Sequence, residues 1–350
     1  MKRIEDTDKN FKAAIPVFEG MKTYSIHEKP FALYGLMYGE NGFFRMEPAV
    51  ADRVSDGVSV LNWHTSGGVL RFRTDSKRII LTAELPEVGY MNHMPLTGSS
   101  SFSLYCDNSF AGVLAAPSVE AYKGVWSAER PLAGDKEKEI EIFFPLYNAV
   151  REVYISLEED ALVGEGRKHG DALPIVFYGS SITQGGCASH PGNAYHNMIA
   201  RHFNREILNL GFSGSCMAED EMCEYIGRLP MSLLVYDYDH NAPSSDFLES
   251  THESFFVKFR KMQPHTPVLM ISVADSVFGQ AEIEKRKATI IKTYENAKKA
   301  GDKNVYFLDG QRFYDETGLE NSTVDTCHPN DLGFFAFYKN ISALIKENNL

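Results

Sequence analysis

The sequence predicts a chain in two parts: an antiparallel β-sandwich of jelly-roll-like type over residues 1–170, then an α/β domain built as a three-layer parallel sheet over residues 171–350. Three observations carry this. The first half holds short β-branched and aromatic runs that alternate with period two, with no long amphipathic helix between them. In the second half, short apolar runs alternate with helical patterns, as in a parallel sheet covered on both faces. Between the halves, ALVGEGRKHGDAL (161–173) concentrates glycine and charge and reads as a linker. With 350 residues, 43% of them hydrophobic, the chain can bury two cores.

In order, after a loose start, the expected sandwich strands are Val69–Thr74, Arg78–Leu85, Ser101–Asp107, Ile140–Phe144 and Glu152–Glu158. Turn residues such as Thr74-Asp75-Ser76 and Asp107-Asn108-Ser109 separate them. Trp63, His64, Tyr90 and Trp126 could stack on a sugar or face a partner, although aromatics in a sandwich mostly fill its core. The parallel strands are expected in the run that opens at Pro174, where Val176, Phe177 and Tyr178 suit a buried strand and Gly179 its exit, and at Glu206–Leu210, Ser232–Tyr238, Pro267–Val273 and Asn304–Asp309. Helices are expected at Ala194–Phe203, Ala218–Arg228, Asp246–Met262, Glu282–Ala300 and Asp331–Glu347.

Charge and composition exclude several classes. A net charge of -12 without a basic run argues against nucleic acid or an anionic membrane surface as partner. No apolar stretch approaches the roughly 20 residues of a spanning helix. The opening MKRIEDTDKNFKAA lacks the apolar core of a signal peptide, which points to the cytoplasm; a chain trimmed of its leader would read the same and be secreted or periplasmic. Cys106, Cys187, Cys216, Cys223 and Cys327 form no CxxC pair and read as reduced thiols.

Four loops after the second-half strands carry candidate chemistry. Gly179-Ser180-Ser181-Ile182-Thr183 puts a serine at a strand's carboxyl end, where α/β sheets place ligands. Asn209-Leu210-Gly211-Phe212-Ser213-Gly214-Ser215 lets backbone N–H groups approach a ligand. Asp237-Tyr238-Asp239-His240-Asn241-Ala242-Pro243 offers an amide donor. Asp325-Thr326-Cys327-His328 spaces a carboxylate and an imidazole so that one fixes the other's tautomer.

Residues 174–350 resemble the SGNH hydrolases, the GDSL-type esterase superfamily, whose Ser, Gly, Asn and Asp-x-x-His blocks stand here in family order. The resemblance implies a flavodoxin-like fold and a Ser-His-Asp triad of Ser181, His328 and Asp325. It also implies an oxyanion hole from the N–H groups of Ser181 and Gly214 and the Asn241 amide. Two departures stand out: Ser180 occupies the usual place of an Asp, and Asn241 lacks the preceding Gly and following Asp of its block. A β domain ahead of such a fold resembles two-domain carbohydrate esterases that remove acetyl groups from sugars.

The expected activity is hydrolysis of small acyl esters, O-acetyl groups on carbohydrates foremost, through an acyl-enzyme. An acyltransferase on the same triad and a non-catalytic sugar-binding protein are the alternatives. Asp237, Asp239 and His240 cluster without a second ligand group, and His190, His196 and His202 are only loosely spaced, so no metal is expected. Without GxxxxGK[ST] or GxGxxG, no cofactor is expected either. The expected partner is the ester substrate, and a homo-oligomer is compatible with the sequence.

Overall fold

The alternating runs of the first half pair into two antiparallel sheets that close on one apolar core. The structure, a computed structural model, describes residues 16–275 and 277–350; the opening segment read for a signal peptide lies outside them. The strands of this half are β1 (Met21–Ser25), β2 (Ala32–Tyr34), β3 (Met37–Gly39), β4 (Gly42–Phe44), β5 (Val69–Thr74), β6 (Arg78–Glu84), β7 (Phe102–Cys106), β8 (Ser109–Leu114), β9 (Val125–Pro131), β10 (Lys138–Phe143), β11 (Glu152–Glu158) and β12 (Val163–Gly164). One sheet runs β1-β11-β6-β9; the other runs β12-β5-β10-β7-β8 with β2 also on β5, and β3-β4 form a hairpin. Every second residue, Ile79, Leu81 and Ala83 on β6 against Leu70 and Phe72 on β5, enters the shared core.

Strands β1 to β4, β8, β9 and β12 were not expected. β9, VWSAERP, places Ser127 and Glu129 at alternate positions because it is an edge strand with one face in water. β12 falls inside the expected linker, where Val163 and Gly164 pair with Thr74 and Arg73. The loose start also holds two short helices, Pro48–Val54 and Asp56–Leu61. Their Ala51 and Val58 belong to the same apolar cluster as Val176 and Tyr178 of the second half.

That second half is a five-stranded parallel sheet: β13 (Ile175–Gly179), β14 (Ile207–Gly211), β15 (Leu233–Asp237), β16 (Val268–Ile271) and β17 (Val305–Leu308), ordered β14-β13-β15-β16-β17. This is the flavodoxin-like order. Alternation again decides the packing. Val176, Tyr178, Leu234 and Tyr236 meet helices Asp220–Arg228, Ser245–Met262 and Gln280–Lys299 on one face. Ile175, Phe177, Leu233 and Val235 meet helices Tyr195–Phe203 and Asp331–Asn348 on the other. Among the described residues no helix is long and apolar enough to cross a membrane.

Candidate functional site

Strand β13 ends at Gly179, and the crowding there explains the glycine. A Cβ would sit 2.4 Å from the Asp237 carbonyl oxygen and 2.2 Å from Thr183 Oγ1, so no larger residue fits. The chain then turns into the short helix Ser181–Gln184, and Ser180 is its N-cap, its Oγ accepting from the Ile182 N–H at 3.2 Å. A serine therefore serves the capping role that an aspartate also fills. Ser181 becomes the first helical residue, half-buried at the carboxyl end of the sheet.

The Asp325–His328 turn meets it across 147 residues of chain: His328 Nε2 lies 2.9 Å from Ser181 Oγ, and His328 Nδ1 lies 2.8 Å from Asp325 Oδ2. Thr326, at φ +67°, turns the chain so that Asp325 Oδ1 also accepts the backbone N–H groups of Cys327 at 3.1 Å and His328 at 2.7 Å. Partial burial alone would raise the Asp325 carboxyl, but these bonds and the His328 ring outweigh it and hold the group below the usual carboxylate range. An anionic Asp325 keeps the proton on Nδ1 and leaves the Nε2 lone pair for the Ser181 hydroxyl. The arrangement can activate an oxygen nucleophile.

The Gly and Asn loops also come together, each donating to an acceptor on the other. Gly214 adopts φ +66°, and its N–H donates to Asn241 Oδ1 at 3.2 Å. The Asn241 amide nitrogen donates to the Phe212 carbonyl at 2.9 Å. In this state the Gly214 donor is engaged by Asn241 rather than directed at an empty hole.

Several supporting residues were not singled out from the sequence. Gln184 ties three segments: its amide nitrogen donates to the Leu146 carbonyl at 3.1 Å and lies 3.1 Å from His64 Nδ1, while its Oε1 accepts from the Ser213 N–H at 3.0 Å. Arg45, buried, reaches from the sandwich side to donate to the carbonyls of Gly211 at 2.5 Å and Leu61 at 2.6 Å. Tyr147 donates to the Ser181 carbonyl at 3.0 Å. Behind the Asn loop, Arg286 is fully buried and donates to the carbonyls of Asp239 and Ala242, each at 2.8 Å, and pairs with Asp239 Oδ1 at 3.0 Å. No local motif marks these residues, since each partner is distant in sequence; only a polar residue inside an apolar pattern, such as Arg286 in its helix, hints at them.

The acidic cluster disperses. Asp239 pairs with Arg286, His240 Nε2 lies 2.6 Å from Asp275 Oδ2, and Asp237 accepts from Thr183 Oγ1 at 3.4 Å. Burial pushes the Asp237 carboxyl up to about 8, partly offset by His240. The three spaced histidines likewise part: His190 lies on Ser103, His196 on Asn209 and His202 on Tyr338. The four aromatic positions form no single surface, for Trp126 packs in the sandwich core and Tyr90 is exposed. All five cysteines are free thiols, and burial, with Asp325 adding to it, pushes Cys187 up to about 12.

Comparison with known proteins shows the family and the fold. Residues 172–346 match the GDSL-like lipase/acylhydrolase family, and residues 7–163 match the N-terminal domain of SGNH hydrolase-type esterases. No curated protein matches the chain. Among solved structures, a protein named as a GDSL-like lipase from Bacteroides ovatus ATCC 8483 is 26% identical, with a TM-score of 0.84 over 93% of this chain and 97% of that one. The salicylyl-acyltransferase SsfX3 of a tetracycline biosynthetic pathway is 19% identical, with a TM-score of 0.76 over 94% and 98%. A family two carbohydrate esterase from Clostridium thermocellum, in complex with cellohexaose, is 13% identical, with a TM-score of 0.63 over 91% and 98%. The chain belongs to the GDSL-like lipase/acylhydrolase family and is a carboxylic ester hydrolase with an N-terminal SGNH-type β domain.

Proposed function

We propose that the protein is a serine esterase that removes small acyl groups, O-acetyl groups of carbohydrates foremost, with Ser181 as nucleophile, His328 as base and Asp325 as its orienting carboxylate. The observation that carries this reading is the continuous hydrogen-bonded line from Asp325 through His328 to Ser181, at 2.8 and 2.9 Å. His328 Nε2 takes the Ser181 proton as Oγ attacks the ester carbonyl, and Asp325 stabilises the imidazolium that forms. The same proton then goes to the leaving sugar hydroxyl, and water repeats the sequence on the acyl-enzyme.

Three donors would meet the developing oxyanion: the Ser181 N–H, the Asn241 amide and the Gly214 N–H. The last must leave Asn241 Oδ1 to do so, a small movement for a glycine at φ +66° with nothing within 4 Å of where a Cβ would stand. Each such donor is typically worth about 3 kcal/mol of barrier.

The likeness to the carbohydrate esterases, including an acetyl xylan esterase from Butyrivibrio proteoclasticus at a TM-score of 0.60, supports the choice of a sugar ester. On this reading residues 1–170 form the sandwich domain that shapes the acceptor side, and residues 171–350 carry the chemistry. The SsfX3 acyltransferase shares the fold, so an alcohol in place of water would make the same centre a transferase.

The test is acetate release from 4-nitrophenyl acetate and from acetylated mono- and oligosaccharides, with the wild type beside Ser181→Ala and His328→Ala. A loss of about a thousandfold or more in both variants is expected. Equal, background release from all three would remove the reading of a small-acyl esterase acting through Ser181, and release only in the presence of an acceptor alcohol would turn it toward acyl transfer.

A further inference from the structure

The fold brings a second set of ligating atoms onto the face of His328. His93 belongs to the first half of the chain and stands exposed in a tight turn closed by the Met91–Met94 bridge. Its ring centroid lies 5.4 Å from that of His328. Cys187 follows the Ser181 helix and is buried beneath them. One ligand atom from each of His93, Cys187 and His328 lies within 4.8 Å of the other two. These residues are separated by 94 and 141 positions, so no ligand spacing in the sequence could reveal them.

We propose that His93, Cys187 and His328 form an inhibitory site for a thiophilic divalent cation, zinc above all, which silences the enzyme by capturing its base. Two imidazoles and one thiolate are a donor set that zinc favours, with a fourth position left to water. Tetrahedral zinc holds its ligand atoms roughly 3.5 Å apart. With the three atoms within 4.8 Å of one another, the exposed His93 turn has at most roughly 1.3 Å to close.

The geometry fixes the consequence. His328 Nδ1 is committed to Asp325 at 2.8 Å, so the metal must take Nε2, the same lone pair that accepts the Ser181 hydroxyl at 2.9 Å. Binding releases the Cys187 proton, as Zn2+ and R–SH give R–S–Zn+ and H+. The neighbouring trio of His240, Asp275 and Cys327 competes less well, because His240 and Asp275 are already joined at 2.6 Å. Binding itself does not depend on the proposed activity; only the inhibition rests on His328 being the base.

The test uses the full chain with cobalt(II) as a coloured probe and zinc competing for a chromophoric chelator. The wild type is expected to develop a thiolate-to-cobalt charge-transfer band that zinc abolishes. His93→Ala and Cys187→Ser are expected to weaken zinc binding at least about tenfold, with the band gone in Cys187→Ser. In the ester assay, both variants are expected to keep basal activity and resist zinc at least about tenfold better than the wild type. No band in the wild type, or a band that survives Cys187→Ser and disappears in Cys327→Ser, would overturn the site. If no ester is hydrolysed by any variant but the cobalt band behaves as expected, the site stands and the proposed function falls.

Discussion

At the scale of single residues, the proposed mechanism rests on one carboxylate, Asp325, and one amide, Asn241. Asp325→Asn keeps the shape but lets the His328 ring adopt the wrong tautomer, and a loss of about ten-thousandfold in kcat is expected at neutral pH. A loss below about tenfold, with the structure intact, would show that Asp325 does not orient the base. Asn241→Ala removes a donor and also frees Gly214, so a kcat loss of about a hundredfold to a thousandfold with little change in KM is expected. A change confined to KM would place Asn241 in substrate binding instead. The meeting of Ser181, His328 and Asp325 was expected from the resemblance of the Gly-Ser-Ser and Asp-x-x-His blocks, each of which is local in the sequence. The bond from the Gly214 N–H to Asn241 Oδ1 was not legible, because it depends on how two loops from different strands meet.

At the scale of elements, the loops are held by buried polar groups behind them. Arg286 joins the Asp239–Asn241 turn to helix Gln280–Lys299, so Arg286→Met should leave the buried Asp239 carboxylate without its ion-pair partner, holding only the Val273 N–H. Breaking such a pair typically costs about 3–5 kcal/mol, seen here as a large fall in the thermal midpoint together with reduced kcat. An unchanged midpoint would mean that the pair contributes little. Asp237 supplies a pH signature. Its folded-state carboxyl is raised to about 8, so its contribution to stability is full below the ordinary carboxylate range and is lost as pH rises through about 8. Asp237→Asn should therefore lose less stability than the wild type between about pH 5 and about pH 9, measured by thermal unfolding. Parallel curves for the two proteins would reject this. The parallel strands and their helices were legible from period and turn residues. The edge strands β8 and β9 were not, because half of each faces water and reads as loop.

At the scale of the whole molecule, the two halves are one machine. Ala51 and Val58 from the first half pack in the core of the second, Arg45 holds the Gly loop, and Tyr147 holds the Ser181 turn. Arg45→Met is accordingly expected to lower kcat and the thermal midpoint together, although it lies outside the parallel-sheet region; a fall in stability without any effect on kcat would limit Arg45 to packing. The change of character read from the sequence lies near residues 161–173, whereas the packing of Ala51 and Val58 with Val176 and Tyr178 was not legible, since burial is decided by long-range contacts that no local pattern encodes. Whether this assembly forms an acyl-enzyme at Ser181 is tested most directly by reacting the protein with a fluorophosphonate and locating the adduct by peptide mass spectrometry. A single stoichiometric adduct on Ser181, lost in His328→Ala, is the expected result. An unlabelled protein, or labelling of another residue with Ser181 untouched, would contradict the serine mechanism.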